Sequence, residues 1–372
     1  MADAKKIRVL VIDDSALVRK LLTEILNSDP EIEVVGTAMD PEVARRKIKE
    51  LNPDVLTLDV EMPKMDGISF LRHLMRLRPM PVLMVSSLTA NGAEVTLDAL
   101  AAGAVDFVSK PRLDVSATLQ DYAAEITGKL KAAARVHVTA RATVPAPEAP
   151  VRPRAAGHSD EKYPATMPIP RPLQPPHLRT TEKIIAIGAS TGGTEAIKDV
   201  LMQLPPDCPG TLVAQHIPPV FSSAFAKRMD QITDLTVCEA QDGQPVLPGH
   251  VYIAPGDKHL LLTRDGARYR CQLNNGPLVN RHMPSVDVLF QSVARSAGRN
   301  GIGVILTGMG ADGARGMAEM KQAGSITIAQ DEKSSVVWGM PGEAVKLGAA
   351  AKVLPLDRIA AGIMLAVKEL QQ

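Results

Sequence analysis

The sequence predicts an α/β protein with two doubly wound parallel-sheet domains joined by a Pro-rich linker. Three observations carry that expectation. Short β-branched runs alternate with amphipathic helical stretches over residues 7–112, which is the pattern of successive βα units. The alternation resumes at residue 182. Between about 139 and 180 the apolar periodicity vanishes and prolines recur from Pro145 to Pro176 among Ala, Arg and Ser, the composition of a semi-rigid linker. A chain of 372 residues is long enough for two cores.

In the first half, 7–12 reads as a strand that ends in Asp13-Asp14, and 15–27 as a helix with Val18, Leu21, Leu22 and Ile25 on one side. A strand at 32–35 precedes Asp40-Pro41, an N-cap followed by proline at the first helical position. Strand 55–58 ends at Asp59, helix 65–78 follows, and strand 81–85 ends at Ser86-Ser87. Helix 92–102, strand 105–108 and Lys110-Pro111 close the unit, and an Ala- and Lys-rich helix runs from 113 to about 136. Asp13, Asp14, Asp59, Ser86 and Lys110 thus fall at or just past the carboxyl ends of strands, the edge where open α/β sheets bind ligands. Three carboxylates there suit a hard cation such as Mg²⁺. A lysine opposite them neutralises an incoming phosphoryl group, and a hydroxyl can bond to it. One strand-end Asp reads as a solvated loop acid, but this combination at successive strand ends does not.

The runs VIDDS at 11–15, LDVEMPKMDG at 58–67 and FVSKP at 107–111 resemble the motifs of two-component receiver domains over about residues 5–125. The resemblance implies a flavodoxin-like fold with Asp59 as phospho-acceptor and Asp13, Asp14 and Asp59 on Mg²⁺. It also implies Ser86 and Lys110 as the switch pair, Phe107 as the rotating aromatic, and a histidine kinase as phosphodonor.

The second half opens on KIIAIGASTGG at 183–193. Its apolar run reads as a strand buried on both faces, and 194–204 shows helical spacing with Ile197, Val200, Leu201 and Leu204 on one face. Ser190 therefore sits in a tight strand-to-helix turn. The pattern Gly188-x-Ser190-x-Gly192 fits a nucleophile elbow and equally an ordinary Gly-rich turn that cradles a phosphate. Strands follow at 211–215, 251–254 and 260–263, the last turning at 264–267 into a hairpin with 269–273. Helices are expected near 222–229, at 285–297 and 313–323 and over roughly 356–370, and strands at 302–306 and 325–329.

A serine nucleophile needs a base and a group that orients it. His216 follows the strand 211–215 and so shares an edge with Ser190, unlike His250, His259 or His282. Asp312 is the acid of the loop Thr307–Gly313, directly before a helix, where an N-cap is the competing role. Ser, His and Asp from three turns on one sheet edge have the geometry of a triad. Their chain order differs from that of α/β-hydrolases.

GASTGG at 188–193, QHIP at 215–218, YIAPG at 252–256, PSVDVLF at 284–290 and LTGMGADG at 306–313 resemble the catalytic domain of chemotaxis response-regulator protein-glutamate methylesterases. With the receiver in front, the resemblance covers both folded halves. It implies a Rossmann-like α/β domain with a β-hairpin, a triad of Ser190, His216 and Asp312, and an oxyanion site at Met309 and Thr191. It further implies receptor glutamine deamidation, methyl-accepting chemotaxis receptors as substrates and no metal in the esterase site. The expected divisions are 1–125 for the receiver, 126–181 for a helical extension and linker, and 182–372 for the catalytic domain.

Composition points the same way. Lys and Arg number 42 against 41 acids, so no basic field calls for nucleic acid. The cysteines Cys208, Cys238 and Cys271 are odd in number with no metal-ligand spacing, which fits a reducing cytoplasm. No signal-peptide h-region or membrane-spanning apolar run is present. A non-enzymatic response regulator whose second domain binds DNA or a partner, and a nucleotide-binding output domain, are the alternatives. The first lacks a helix-turn-helix and the second lacks the G-x-G-x-x-G spacing.

Overall fold

The first sheet has the strand order β2-β1-β3-β4-β5, all parallel. In chain order its strands are β1 (Ile7–Ile12), β2 (Ile32–Ala38), β3 (Val55–Asp59), β4 (Val82–Ser86) and β5 (Asp106–Ser109). The helices between them are α1 (Ala16–Asn27), α2 (Pro41–Leu51), α3 (Gly67–Leu77) and α4 (Ala90–Ala101), and α5 (Ser116–Ala134) follows. The computed structural model describes residues 5–62, 66–87, 89–110, 116–136, 138 and 182–370. The linker expected over 139–180, Pro63-Lys64-Met65 and Pro111 lie outside them.

Local chemistry fixes the helix starts. Ser15, Asp40, Asp66 and Thr89 are N-caps whose side chains accept from Val18, Val43, Ser69 and Gly92 N–H, and Pro41 takes the first helical position as expected. β3 and β4 are buried on both faces, which explains their unbroken apolar runs.

The second domain has a seven-stranded sheet in the order β14-β13-β12-β6-β7-β9-β8, again all parallel. Its strands are β6 (Ile184–Ala189), β7 (Gly210–Gln215), β8 (Thr236–Glu239), β9 (His250–Ile253), β12 (Gly301–Ile305), β13 (Ile326–Gln330) and β14 (Lys352–Leu354). An antiparallel hairpin of β10 (His259–Asp265) and β11 (Arg268–Asn274) stands apart. The helices are α6 (Gly193–Leu201), α7 (Pro219–Ile232), α8 (Val286–Ser296), α9 (Ala314–Gln322), α10 (Met340–Lys346) and α11 (Leu356–Glu369).

Three elements escaped the sequence. β8 and β14 are edge strands with a single fully buried residue between them, Val237, so they carry no apolar run. α10 is short and has proline in its first turn. α7 is longer than expected because Pro219 starts it rather than preceding it. Among the described residues, no helix is long and apolar enough to cross a membrane.

The two domains meet along α4 and α7. Lys227 reaches Glu94 at 3.0 Å and Arg228 reaches Asp98 at 2.5 Å. Beside these ion pairs, the ring of Phe107 stacks on that of Phe221 with centroids 4.3 Å apart. A cavity of about 240 Å³ also lies at the seam, lined in part by Leu100, Val105, Val136, Gly192 and Val336.

Candidate active site

The neighbouring strands β12, β6 and β7 end on one edge, and the turns after them carry Asp312, Ser190 and His216. Ser190 follows β6 and is 8% exposed. Its N–H donates to Thr307 O at 3.0 Å, and its carbonyl accepts from Gly193 N–H at 2.7 Å and Gln215 Nε2 at 2.9 Å. The same Gln215 nitrogen donates to His216 O at 3.2 Å, so one buried amide ties the Ser190 turn to the His216 turn. Gly192 adopts φ +74°, and a Cβ there would lie 2.7 Å from Val336 Cβ. The turn therefore needs glycine at that position.

His216 Nε2 pairs with Asp312 Oδ2 at 2.9 Å. Its Nδ1 is buried without a hydrogen-bond partner, and no hydrogen bond links it to Ser190 Oγ. The ring nitrogen that remains unpartnered is therefore Nδ1. The ring lies flat on that of His282, with centroids 3.7 Å apart and planes 11° from parallel. Burial, and next the adjacent His216, push the His282 imidazole down to about 4.

Asp312 is almost fully buried. Oδ2 also accepts from Val286 N–H at 2.7 Å, and Oδ1 accepts from Asn280 Nδ2 at 2.7 Å and Ser285 Oγ at 2.8 Å. Burial alone would raise this carboxyl. The His216 hydrogen bond, its charge and the other donors outweigh that and hold the carboxyl far below the usual range. The competing N-cap role is excluded: Gly313 is the N-cap of α9, with φ 91°, and the Asp312 oxygens face the start of α8 instead.

Thr191 Oγ1 is buried without a partner. Met309 N–H has no backbone acceptor among the described residues. The Met309 side chain rests near helix α5 of the first domain, where a Cβ on Gly128 would lie 3.0 Å from its Cε.

On the corresponding edge of the first sheet, Asp13, Asp14 and Asp59 offer oxygens within 4.8 Å of one another. Asp13 and Asp59 are fully buried, and Asp13 Oδ2 lacks a hydrogen-bond partner. Lys110 Nζ bonds Asp59 Oδ2 at 2.7 Å and lies 3.7 Å from Asp13 Oδ2. Burial pushes the Asp59 carboxyl up to about 6 against the pull of Lys110. Ser86 is not gathered with them, because its hydroxyl accepts from Thr96 Oγ1 at 2.7 Å on α4. Phe107 is buried at the domain seam, and Lys129 Nζ donates to its carbonyl at 2.7 Å.

Sequence reasoning left Gln215, Asn280, Ser285 and Asp287 without roles. Ser285 was readable as the N-cap of α8, which it is. Gln215 ends β7, Asn280 lies in a turn and Asp287 in the first turn of α8, and each has partners far along the chain that no local spacing marks.

Comparisons with known proteins identify the family of both halves of the chain. A family model described as CheB methylesterase matches residues 185–363, and one described as response regulator receiver domain matches 9–119. The chain is 56% identical over 354 residues to protein-glutamate methylesterase/protein-glutamine glutaminase 1 of Xanthomonas campestris pv. campestris, which covers 95% of each chain. It is 54% identical over 376 residues to the protein-glutamate methylesterase/protein-glutamine glutaminase of Hydrogenovibrio crunogenus, covering 98% of this chain and 100% of that one. The crystal structure of the Thermotoga maritima CheB methylesterase catalytic domain aligns with a TM-score of 0.49 and 39% identity, covering 50% of this chain and 98% of that one.

Proposed function

The chain belongs to the protein-glutamate methylesterase/protein-glutamine glutaminase family, with a response-regulator receiver ahead of the esterase domain, and from that premise we propose that Ser190, His216 and Asp312 perform the hydrolysis. The observation that carries this assignment is the buried His216–Asp312 pair beside the Ser190 turn, with Nδ1 unpartnered.

Ser190 Oγ attacks the carbonyl carbon of a glutamate γ-methyl ester while its proton passes to His216 Nδ1. Asp312 holds the Nε2–H tautomer and stabilises the imidazolium. The oxyanion takes its hydrogen bond from Met309 N–H, with the Thr191 hydroxyl beside it. Collapse breaks the C–O bond, and the proton on Nδ1 leaves with methanol. Water then attacks the glutamyl-enzyme through the same histidine, freeing glutamate and Ser190. With a glutamine side chain the leaving group is ammonia. The Ser190 hydroxyl rotates onto Nδ1 when substrate binds, a tightening common to sites seen without ligand.

The receiver supplies regulation. Asp59 accepts the phosphoryl group, and Asp13, Asp14 and Asp59 would hold Mg²⁺; hard oxygen donors and the orphaned Asp13 Oδ2 fit such an ion. When bound, the ion supplies neutralisation of phosphoryl charge. Lys110 shares that task, and Ser86 turns from Thr96 toward the phosphoryl oxygen. Phe107 follows, which strips the ring from Phe221 and frees the esterase edge. A chemotaxis histidine kinase is the donor, methyl-accepting chemotaxis receptors are the substrates, and the cytoplasm is the compartment.

The test is methanol release from methylated receptor. Ser190→Ala is expected to lose several orders of magnitude in rate, about the cost of a triad nucleophile. A variant that keeps roughly a tenth of wild-type turnover overturns the assignment.

A further inference from the structure

We propose that Asn280 is a positioning residue for the esterase reaction: its side-chain amide clips Asp312 to a second buried carboxylate, Asp287, and so sets the basicity of the acid behind His216. The proposal rests on the triad reading above.

The clip is one turn. Val279 and His282 exchange N–H···O bonds of 3.1 and 2.9 Å, and the two residues between them both lie in the left-handed region, Asn280 at φ 53° and Arg281 at φ 68°. That is the signature of a type I′ turn, where Asn-Gly is the comfortable pair. Arginine at the second position is strained, and such strain persists where the surroundings over-determine it.

The turn has two outputs. His282 is laid on the His216 ring. Asn280 Nδ2 gives one hydrogen to Asp312 Oδ1 and the other to Asp287 Oδ2, each at 2.7 Å. Asp287 and Asp312 are 4% and 2% exposed, so water does not screen them from each other. The remaining Asp287 oxygen accepts from Gly316 N–H at 2.7 Å. Among the described residues, the Asn280 amide is the side chain hydrogen-bonded to both carboxylates.

A chemical consequence follows for His216. Asp312 keeps Ser285 Oγ and Val286 N–H as donors if the amide is lost, but it stands unbuffered beside the Asp287 charge. Each lost donor makes the carboxylate a stronger base. It then holds the Nε2 proton harder, and His216 becomes more basic at Nδ1. The other titratable or charged groups nearby are His282, stacked on His216 and neutral above about pH 4, and Lys129 and Arg281, which both act on His282. Burial also raises the Asp287 carboxyl, and Asp312 raises it further, as two neighbouring acids sharing one donor require.

The test uses the full-length protein activated with beryllofluoride, with methanol release measured against pH. Asn280→Gly keeps the left-handed backbone and removes only the amide. Its kcat is expected to fall ~10-fold near neutral pH with KM little changed. The acid limb of its kcat profile should move up by about half a pH unit or more. Asn280→Asp preserves shape and replaces both donors with an acceptor, so its limb should move further. Unfolding followed by Trp338 fluorescence reads folding separately. Wild-type kcat with an unmoved acid limb overturns the proposal. So does a kcat loss that tracks lost stability while the limb stays in place. Ser190→Ala run in parallel separates the failures: turnover there overturns the triad, whereas an inactive Ser190→Ala beside an unaltered Asn280→Gly overturns this proposal alone.

Discussion

The imidazole of His282 shows how one side chain couples the site to acidity. Its folded-state pKa of about 4 lies below the ordinary 6.5. The unfolded chain therefore binds a proton at a pH where the folded chain does not, and the stability held above about 6.5 is lost as pH falls toward 4. Asp312, held far below its ordinary range, contributes stability that is also lost on acidification, at a lower pH. The catalytic domain should thus weaken between pH 6.5 and 4 by about 1–3 kcal/mol. Trp338, the single tryptophan, lies in this domain with its Nε1 donating to Gln330 O at 3.1 Å. Its fluorescence during urea unfolding at several pH values reads the effect. His282→Phe keeps the stacked plate and should flatten the dependence; an unchanged slope would assign it to other groups.

At the scale of elements, the site depends on close approaches between the ends of strands. A Cβ on Gly308 would lie 2.8 Å from Ser190 Cβ and would run into the sulfur of Met340. Gly308→Ala should therefore push the turns after β6 and β12 apart, at a cost of about 1–3 kcal/mol and with a larger loss of kcat than of stability. Methanol release and Trp338 unfolding of the same variant check it, and a fully active, equally stable variant would show that the turns have slack. This packing also explains what the sequence disclosed. Strand ends that carried Ser190, His216 and Asp13 were legible because central strands are apolar throughout and their polar stops stand out. That Ser190, His216 and Asp312 share one sheet edge was legible because each follows the end of such a strand. Asn280 was not, because its role depends on a turn returning to residues 7 and 32 positions away. β8 and β14 were not, because edge strands bury too little to leave a period-2 trace. The alternative N-cap role of Asp312 could be decided only in three dimensions, where its oxygens meet α8 rather than α9.

Across the whole molecule, a modest seam joins the receiver to the esterase domain. Exposed ion pairs such as Lys227–Glu94 contribute roughly 0.2–1 kcal/mol each, and the Phe107–Phe221 stack about 0.5–1.5 kcal/mol beyond its area. A latch of that size can be opened by a coupling energy of about 1–3 kcal/mol, the range available to a phosphorylated receiver. Reversing both charges on α7, in Lys227→Glu with Arg228→Glu, should raise the unphosphorylated rate ~5-fold or more and narrow the gain from beryllofluoride. Unchanged basal turnover would place the restraint elsewhere on the seam. The strand order has a further consequence, for hydrogen exchange. β12, β6 and β7 sit together in the middle of seven strands, whereas β8, β14 and the hairpin are peripheral. Amides on the three middle strands should exchange only when the entire domain opens, and those at the borders by fraying. An enzyme brought gradually toward denaturation would then shed its regulatory contacts and borders first, and pass through a window in which it is ungoverned but still able to turn over.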